Sequence, residues 1–375
     1  MSRNAPPSFY EFFAGGGMAR LGLGDHWRCL FANDFDPIKT ATYRANFDDA
    51  EAHFHQGDVW AVEPADLPGR ADLAWASSPC QDFSLAGARA GLEGGRSSSF
   101  FGFWRLMEAL NGEGRAPRTI VIENVVGLLS SNGGRDFQAL CRALADQGYH
   151  FGALEIDAAG FVPQSRPRVF VVATRSTPPP PLTGRGAFHT RSVLEAEARL
   201  PDDLRALWVW WRLAAPPTRN SHLSAMLEPD ETATWRPPAE TDRLLDLMAA
   251  AHLGRLNQAR QAGRAVGTVF RRMRAGVQRA EIRLDGVAGC LRTPRGGSSR
   301  QTVVVATVDR VRSRLLTPRE GARLMGLPDT YQLPRGDTAA FHVVGDGVAV
   351  PVVRWLASQL IEPLLATVDT ALAAE

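Results

Sequence analysis

A cysteine, a glutamate and two arginines stand in this chain where they could do chemistry together. Cys80 lies in Ser78-Pro79-Cys80-Gln81, after the apolar run of residues 71–76 and before a segment studded with Gly87, Gly91, Gly94 and Gly95. A cysteine at a strand end, held by proline and followed by a loop, is placed as a nucleophile would be, and the thiolate is the form that attacks. Glu123 opens Glu123-Asn124-Val125, about 43 residues further on. In Gln164-Ser165-Arg166-Pro167-Arg168 the alternation predicts both arginines on one face of a strand. Such a set suits covalent catalysis by a thiolate, assisted by an acid and a cation. Each member also has a plainer reading. Cys80 could be a small buried hydrophobe, Glu123 a surface charge, and the arginines a solvated face or a phosphate clamp.

The elements that must position these groups follow from the first half of the chain, where apolar β-rich runs alternate with helical patterns as in parallel-sheet proteins. Strands are predicted at residues 8–13, 29–33, 53–56, 72–76, 119–123 and 169–173. Helices are predicted at 18–24, 37–46, 104–110 and 137–147, the last stopped by Gly148. Four consecutive prolines, 178–181, read as a linker. An irregular stretch follows, with Trp208, Trp210 and Trp211 read as the core of a small domain. Helical pattern returns at 316–327 and ends in an amphipathic helix over 348–365. The expected organisation is a catalytic domain over residues 1–176, a second domain over 177–312 inserted into it, and a return to the first over 313–375.

Composition narrows the class. At 375 residues, 45% hydrophobic and 22% charged, the chain reads as an ordinary globular protein. Its cysteines form no C-x-x-C pair, so neither a zinc site nor a disulfide framework is expected, and reduced cytosolic thiols fit better. No signal-like start and no run of about 18 apolar residues is found, which argues against secretion or a membrane span. The net charge of +2 hides an arginine-rich stretch from Arg255 to Arg300 that faces only Glu281 and Asp285. That is the footprint of a phosphate backbone, although Lys39 is the only lysine and arginine is used everywhere.

The turn Phe13-Ala14-Gly15-Gly16-Gly17, between strand and helix, lets a ligand approach the backbone. Arg20 stands where a pyrophosphate-binding fingerprint wants glycine, which favours a cofactor without phosphates. Asp34 at the next strand end could bind ribose hydroxyls, Phe35 could stack on a purine, and Asp58 with Val59 follows a third strand. Singly, each could cap a helix or fill the core. In order at successive strand ends, they point to an adenosine ligand.

Taken together, residues 13–17, Asn33-Asp34, Gly57-Asp58, Pro79-Cys80-Gln81, Glu123-Asn124-Val125 and 164–168 resemble the ordered motifs of the cytosine-5 DNA methyltransferases. Residues 314–329 (RLLTPREGARLMGLPD) and 344–350 (VGDGVAV) resemble the last two motifs of that family. The resemblance spans the chain except for about 177–285, where the family places its variable target-recognition domain. It implies an α/β, Rossmann-like S-adenosylmethionine-dependent methyltransferase sheet with an inserted small, irregular target-recognition domain and a cleft between them. It also implies that the target cytosine is flipped out of the duplex, since carbon 6 is unreachable in the stack.

Carried over by position, Cys80 is the nucleophile that adds to cytosine carbon 6, and a protonated Glu123 serves ring N3. Arg168 serves O2, supported by Arg166. Phe13, Ala14, Gly15, Gly17, Asp34, Phe35, Asp58, Val59 and Pro79 line the S-adenosyl-L-methionine site, whose product is S-adenosyl-L-homocysteine, and Gly347 and Val348 close it. Residues 81–99 match the mobile active-site loop, with Gln81 and Ser84 expected on DNA beside Arg271, Arg272, Arg274 and Arg295. The expected partner is double-stranded DNA, with no metal and no membrane, and the expected form is a cytoplasmic monomer. Whether a cognate restriction endonuclease acts beside it stays open. Glu11, Ser77-Ser78 and Asp346-Gly347 depart from the family's usual residues, the last putting a carboxylate near the methionine end of the cofactor. Two alternatives also remain at this point: an RNA (tRNA) cytosine-5 methyltransferase, and an inactive DNA-binding homologue.

Overall fold

The computed structural model describes residues 5–78, 99–216, 218–293 and 300–366. Chain contacts divide it into two units. The first comprises residues 1–157, 167–216 and 350–375, the second 158–166 and 217–349.

Among the described residues of the first unit, seven strands form one sheet: β1 (Ser8–Phe12), β2 (Arg28–Asp34), β3 (Phe54–Gln56), β4 (Leu73–Ala76), β5 (Thr119–Val125), β6 (His150–Asp157) and β7 (Pro167–Thr174). Their order is β3-β2-β1-β4-β5-β7-β6. The first five run parallel, and β7 lies antiparallel between β5 and β6. Central strands such as β4 and β5 are buried along almost their whole length, as parallel strands covered on both faces must be. Phe12, Phe103, Met107, Ile120, Phe137 and Val171 sit in that core.

The order reverses direction at β1 and β4. In open α/β sheets, ligands bind outside the carboxyl ends of the strands at such a switch point. That edge carries the glycine turn after β1, Asp34 at the end of β2, and Ser77-Ser78 after β4.

In the second unit, β8 (Ala265–Arg274), β9 (Val277–Arg283), β10 (Thr302–Ala306) and β11 (Val311–Leu315) form an antiparallel sheet of order β11-β10-β8-β9. Helices Pro238–Asp246 and Ala250–Gln261, with the link between them, bring Leu244, Leu256 and Met248 to Val269, Ile282 and Val304. The stretch expected to be irregular therefore holds regular antiparallel structure. Burial in its central strands does not alternate: β8 is buried over Gly267–Val269 and exposed over Arg271–Arg274, and β10 is buried throughout, so no two-residue period marks them.

The contact units also depart from the boundaries expected at residues 176 and 312. The four-proline run does not leave the first unit. Its chain continues along the sheet, where the Val209 N–H donates to the Phe151 carbonyl at 2.7 Å and the indole Nε1 of Trp211 donates to the Val172 carbonyl at 3.0 Å. The tryptophans thus belong to the core of the first unit: Trp211 is fully buried, and Trp208 packs edge-on against Phe137 and Phe151. At the other boundary, residues 313–349 stay with the second unit, where β11 pairs with β10 and Glu320 accepts the Glu228 N–H. The helical pattern at 316–327 is realised as Pro318–Leu324, capped by Thr317 and Glu320, each accepting from the other's backbone N–H. The expected helix over 348–365 is Val350–Leu356 continued by a π-helical segment, Ala357–Ile361.

Candidate active site

At the end of β1 the chain turns through two left-handed positions, Phe13 (φ 58°) and Gly15 (φ 56°), before Gly17 (φ 79°) opens helix Met18–Leu23. A β-carbon on Gly17 would lie 2.2 Å from the Phe47 ring, so only glycine fits there. A β-carbon on Gly15 would meet nothing within 4 Å, which leaves open space beside the turn. The Asp34 carboxylate faces this turn. One oxygen accepts the Gly15 N–H at 2.9 Å, and the other accepts the Asp36 N–H at 2.9 Å. Burial pushes the Asp34 carboxyl up, against the pull of Lys39 and those two N–H groups.

Next to it Phe35 is 68% exposed, an unusual state for a phenyl ring. Asn33 braces the neighbouring strand end by donating to the carbonyls of His55 and Gly57 at 2.9 and 3.0 Å. Asp58 is exposed and accepts the Trp60 N–H at 3.0 Å, while Val59 is buried. Ala14 is buried too. Open space, an oriented carboxylate and an exposed ring at adjacent strand ends fit a flat heteroaromatic ligand with hydroxyl groups. Phe13, Gly15, Asp34, Phe35 and Asp58 are brought together along that edge. Val59 lies inward as packing.

Below the turn, Glu11 is buried, and burial raises its carboxyl to about 8 against the opposing charge of Arg20. Arg20 itself turns away from the ligand edge. It donates to both Asp49 oxygens at 2.6 and 2.8 Å and to the Tyr43 hydroxyl at 3.1 Å, stacked 4.1 Å from the Phe47 ring.

The second group of side chains sits where β5 and β7 adjoin. Arg168 Nε lies 3.2 Å from Glu123 Oε1, and both side chains are largely buried. Asn124, one residue on, donates to the Ser78 carbonyl at 2.9 Å. It thereby fixes the strand exit that leads to Cys80. The sequence signalled Asn124 only as part of a motif, without a role for its side chain. Cys80 itself, with Pro79, Gln81, Ser84, Arg295 and the loop of residues 81–98, lies outside the described residues.

Arg166 does not share a strand face with Arg168. Strand β7 begins at Pro167, so Arg166 falls before it and belongs to the second unit. Its buried guanidinium donates to the carbonyls of Leu291, Gly345 and Gly347 at 3.1, 2.8 and 2.7 Å. Arg166 therefore holds the backbone of the Gly347-Val348 motif. In that motif Asp346 accepts the Thr293 hydroxyl at 2.5 Å and stands 3.5 Å from His342. Arg271, Arg272 and Arg274 are exposed on β8, the latter two 3.6 and 2.8 Å from Glu281. No cluster of three or more potential metal ligands occurs among the described residues.

Comparison with known proteins places these groups in context. The family model of the C-5 cytosine-specific DNA methylases matches residues 8–362. The chain is similar to the Type II methyltransferase M.NlaX of Neisseria lactamica, 28% identical with 96% of this chain and 97% of the relative covered. It is also similar to the Type II methyltransferase M.HpaII of Haemophilus parainfluenzae, at 26% identity over 95% and 90% of the two chains. Among solved structures, the S. pombe Dnmt2 methyltransferase shares the fold with a TM-score of 0.60, at 16% identity over 96% of this chain and 99% of that one.

Proposed function

The chain belongs to the C-5 cytosine-specific DNA methylase family, and on that premise we propose that it transfers a methyl group from S-adenosylmethionine to carbon 5 of a flipped-out cytosine in a short duplex DNA sequence. The observation that carries the reading is the Glu123–Arg168 pair beside Asn124 and the Ser78 exit. It sets a carboxyl and a guanidinium at the strand end from which the Cys80 segment departs.

The division of labour follows from the ring's chemistry. Carbon 5 of cytosine is a weak nucleophile. The Cys80 thiolate forms a bond to carbon 6, and the displaced ring electrons make carbon 5 enamine-like. Glu123 holds a proton at N3, which takes up the charge that the addition creates. Arg168 donates to O2 and orients Glu123 through their contact. S-adenosylmethionine supplies an electrophilic methyl group to this carbon. A base then removes the proton from carbon 5 and the thiolate leaves carbon 6, restoring both the ring and the enzyme. Asp34 would hold the ribose hydroxyls, Phe35 the adenine face, and the turn of residues 13–17 the remainder. The backbone that Arg166 fixes at Gly347 would close the methionine end.

The reading carries double-stranded DNA as substrate and a monomer working in the cytosol. The helical stretch Asp337–Ala366 is long and apolar enough to cross a membrane, but 61% of its most apolar part is buried, as in a core helix.

Incubation of the purified chain with S-adenosylmethionine and unmethylated plasmid, followed by bisulfite sequencing, tests the proposal. Protected cytosines in one recurring short sequence, absent with Cys80→Ala, are the expected result. Labelling of tRNA instead would move the substrate to RNA. Labelling of neither nucleic acid would leave a binding protein without activity.

A further inference from the structure

Helix Met18–Leu23, which the glycine turn opens, is six residues long. Helices shorter than about 12 residues are marginal in water on their own, so its placement comes from packing. At its start Gly17 fits against the Phe47 ring, which Arg20 covers. A helix held at one end only can pivot about it. The other end is held from the last helical segment of the chain.

A β-carbon on Gly22 would collide with Val353 and the Val350 carbonyl, so the helix lies directly on Val350–Leu356. Arg354 donates to the Leu23 carbonyl, at the end of the helix where a cation suits its dipole. The chain then turns at Gly24 (φ 92°) toward His26 and Trp27. Trp27 is buried edge-on against Phe9 of β1, and its indole Nε1 donates to Glu362 Oε1 at 3.1 Å. His26 Nε2 lies 3.0 Å from the same oxygen, and Arg354 donates to it as well. Burial acts to raise the Glu362 carboxyl, but donation from Trp27, Arg354 and His26 holds it below its ordinary value. One carboxylate oxygen thus gathers three side chains around the C-terminal end of the helix.

Glu362 meets Arg354 across eight residues of one helical segment. In an α-helix that spacing is about 12 Å along the axis and about 80° around it. The π-helical stretch Ala357–Ile361 lies between the two. Its i→i+5 bonds put more residues into each turn, which rotates Glu362 back toward the Arg354 face. Pro363, with no N–H to donate, follows at once. Such stretches are rare and concentrate at functional sites.

We propose that Glu362 is a positioning residue for the cofactor: by holding helix Met18–Leu23 at its far end, it sets the glycine turn of residues 13–17 against S-adenosylmethionine. The inference rests on the cofactor reading above and adds a residue that no motif of the ligand edge contains. His26, Arg354 and Glu362 are partly exposed, and exposed ion pairs add little to stability. Their effect is on where the turn stands.

Titration calorimetry with S-adenosylhomocysteine on the full chain tests this, beside melting curves and amide hydrogen exchange. Glu362→Ala should weaken binding about tenfold and raise the KM for S-adenosylmethionine alike, with kcat at saturating cofactor within about twofold of wild type. Exchange should quicken at the Leu21 and Gly24 amides, which donate to Gly17 and Arg20 within the helix, and not in β4 or β5. Glu362→Gln keeps an acceptor for Trp27 and Arg354 and should restore affinity to within about threefold of wild type. Trp27→Phe keeps a ring against Phe9, deletes the bond from its other side, and should lose affinity in smaller measure. Leu144→Ala, in the core beneath helix Arg135–Asp146, should lower the melting temperature further than Glu362→Ala and leave affinity unchanged. Wild-type affinity in both Glu362→Ala and Trp27→Phe would overturn the proposal and leave the methyltransferase reading standing. An equal loss in Leu144→Ala would overturn it too, since affinity would then follow stability alone. A wild-type chain that binds neither S-adenosylmethionine nor S-adenosylhomocysteine would remove the cofactor reading and this proposal together.

Discussion

Arg168 and Glu123 meet across the antiparallel boundary of the sheet, Nε to Oε1 at 3.2 Å, although Val125 is the residue that faces Arg168 in the register. The contact is diagonal, between side chains about two residues apart along the strands, and it needs the reversal of β7 to exist. A parallel β7 would present its opposite end at this edge.

Arg168→Ala should therefore act on Glu123 as well as on the substrate, because it leaves a buried carboxyl without its cation. Methyl transfer from tritiated S-adenosylmethionine to plasmid should fall by about 100-fold or more, the scale of one lost charge-stabilising donor. Glu123→Gln keeps the shape, removes the acid, and should lose about 10²–10⁴-fold in kcat. Equal rates for wild type and Glu123→Gln would contradict the assigned role.

Asp34→Ala removes the acceptor of the Gly15 and Asp36 N–H groups and the expected ribose partner at once. Titration calorimetry with S-adenosylhomocysteine should show at least about a tenfold loss of affinity, the equivalent of 1.4 kcal/mol. Phe35→Ala should also weaken binding while leaving the melting temperature unchanged, since the ring is mostly exposed. A fall in melting temperature with unaltered affinity would make Phe35 a packing residue.

Glu320 receives the guanidinium of Arg314 in a fully buried pair and also accepts backbone N–H groups of Thr317 and Glu228. Removing one partner of such a pair strands the other charge in the interior, at about 3–5 kcal/mol. Urea unfolding of Glu320→Ala should show a loss of that size. A loss below about 1 kcal/mol would mean that water reaches Arg314.

Glu11 gives a pH signature. Its carboxyl is raised in the fold to about 8, through burial first, so between its ordinary value near 4.5 and about 8 the native state holds a proton that the unfolded chain has released. Stability from this group is full below the lower value and declines as pH rises toward the upper one, at no more than about 1.4 kcal/mol per pH unit. Glu11→Gln should flatten that decline in urea-unfolding series from pH 5 to 8. An unchanged slope would assign the pH dependence to other groups.

Much of the first unit could be read from its residues because each local signal agreed with its neighbours. Alternating apolar strands, the glycine turn and the carboxylates at strand ends all pointed to one edge of one sheet. The second unit hid its sheet, since β8 is buried over Gly267–Val269 without a break and exposed over Arg271–Arg274, so no two-residue period marks it. The tryptophans misled for another reason: burial was legible in Trp211, but the surface it is buried against was not. Arg166 and Arg168 show the limit of spacing. Two residues apart suggested a shared face, yet Pro167, which has no N–H to give, starts the strand between them and sends the guanidiniums to different partners.

The helix that follows the glycine turn depends on residues made more than 300 positions after it. Glu362 receives the side chains of His26 and Trp27 at 3.0 and 3.1 Å, and Arg354 donates to the Leu23 carbonyl. On the ribosome, at roughly 5–20 residues per second, the N-terminal helix waits on the order of tens of seconds for these partners to be synthesised. A nascent chain cut short near residue 349 would keep its glycine turn but lack that clasp. The helix behind the cofactor edge is thus clasped only once Glu362 has been made.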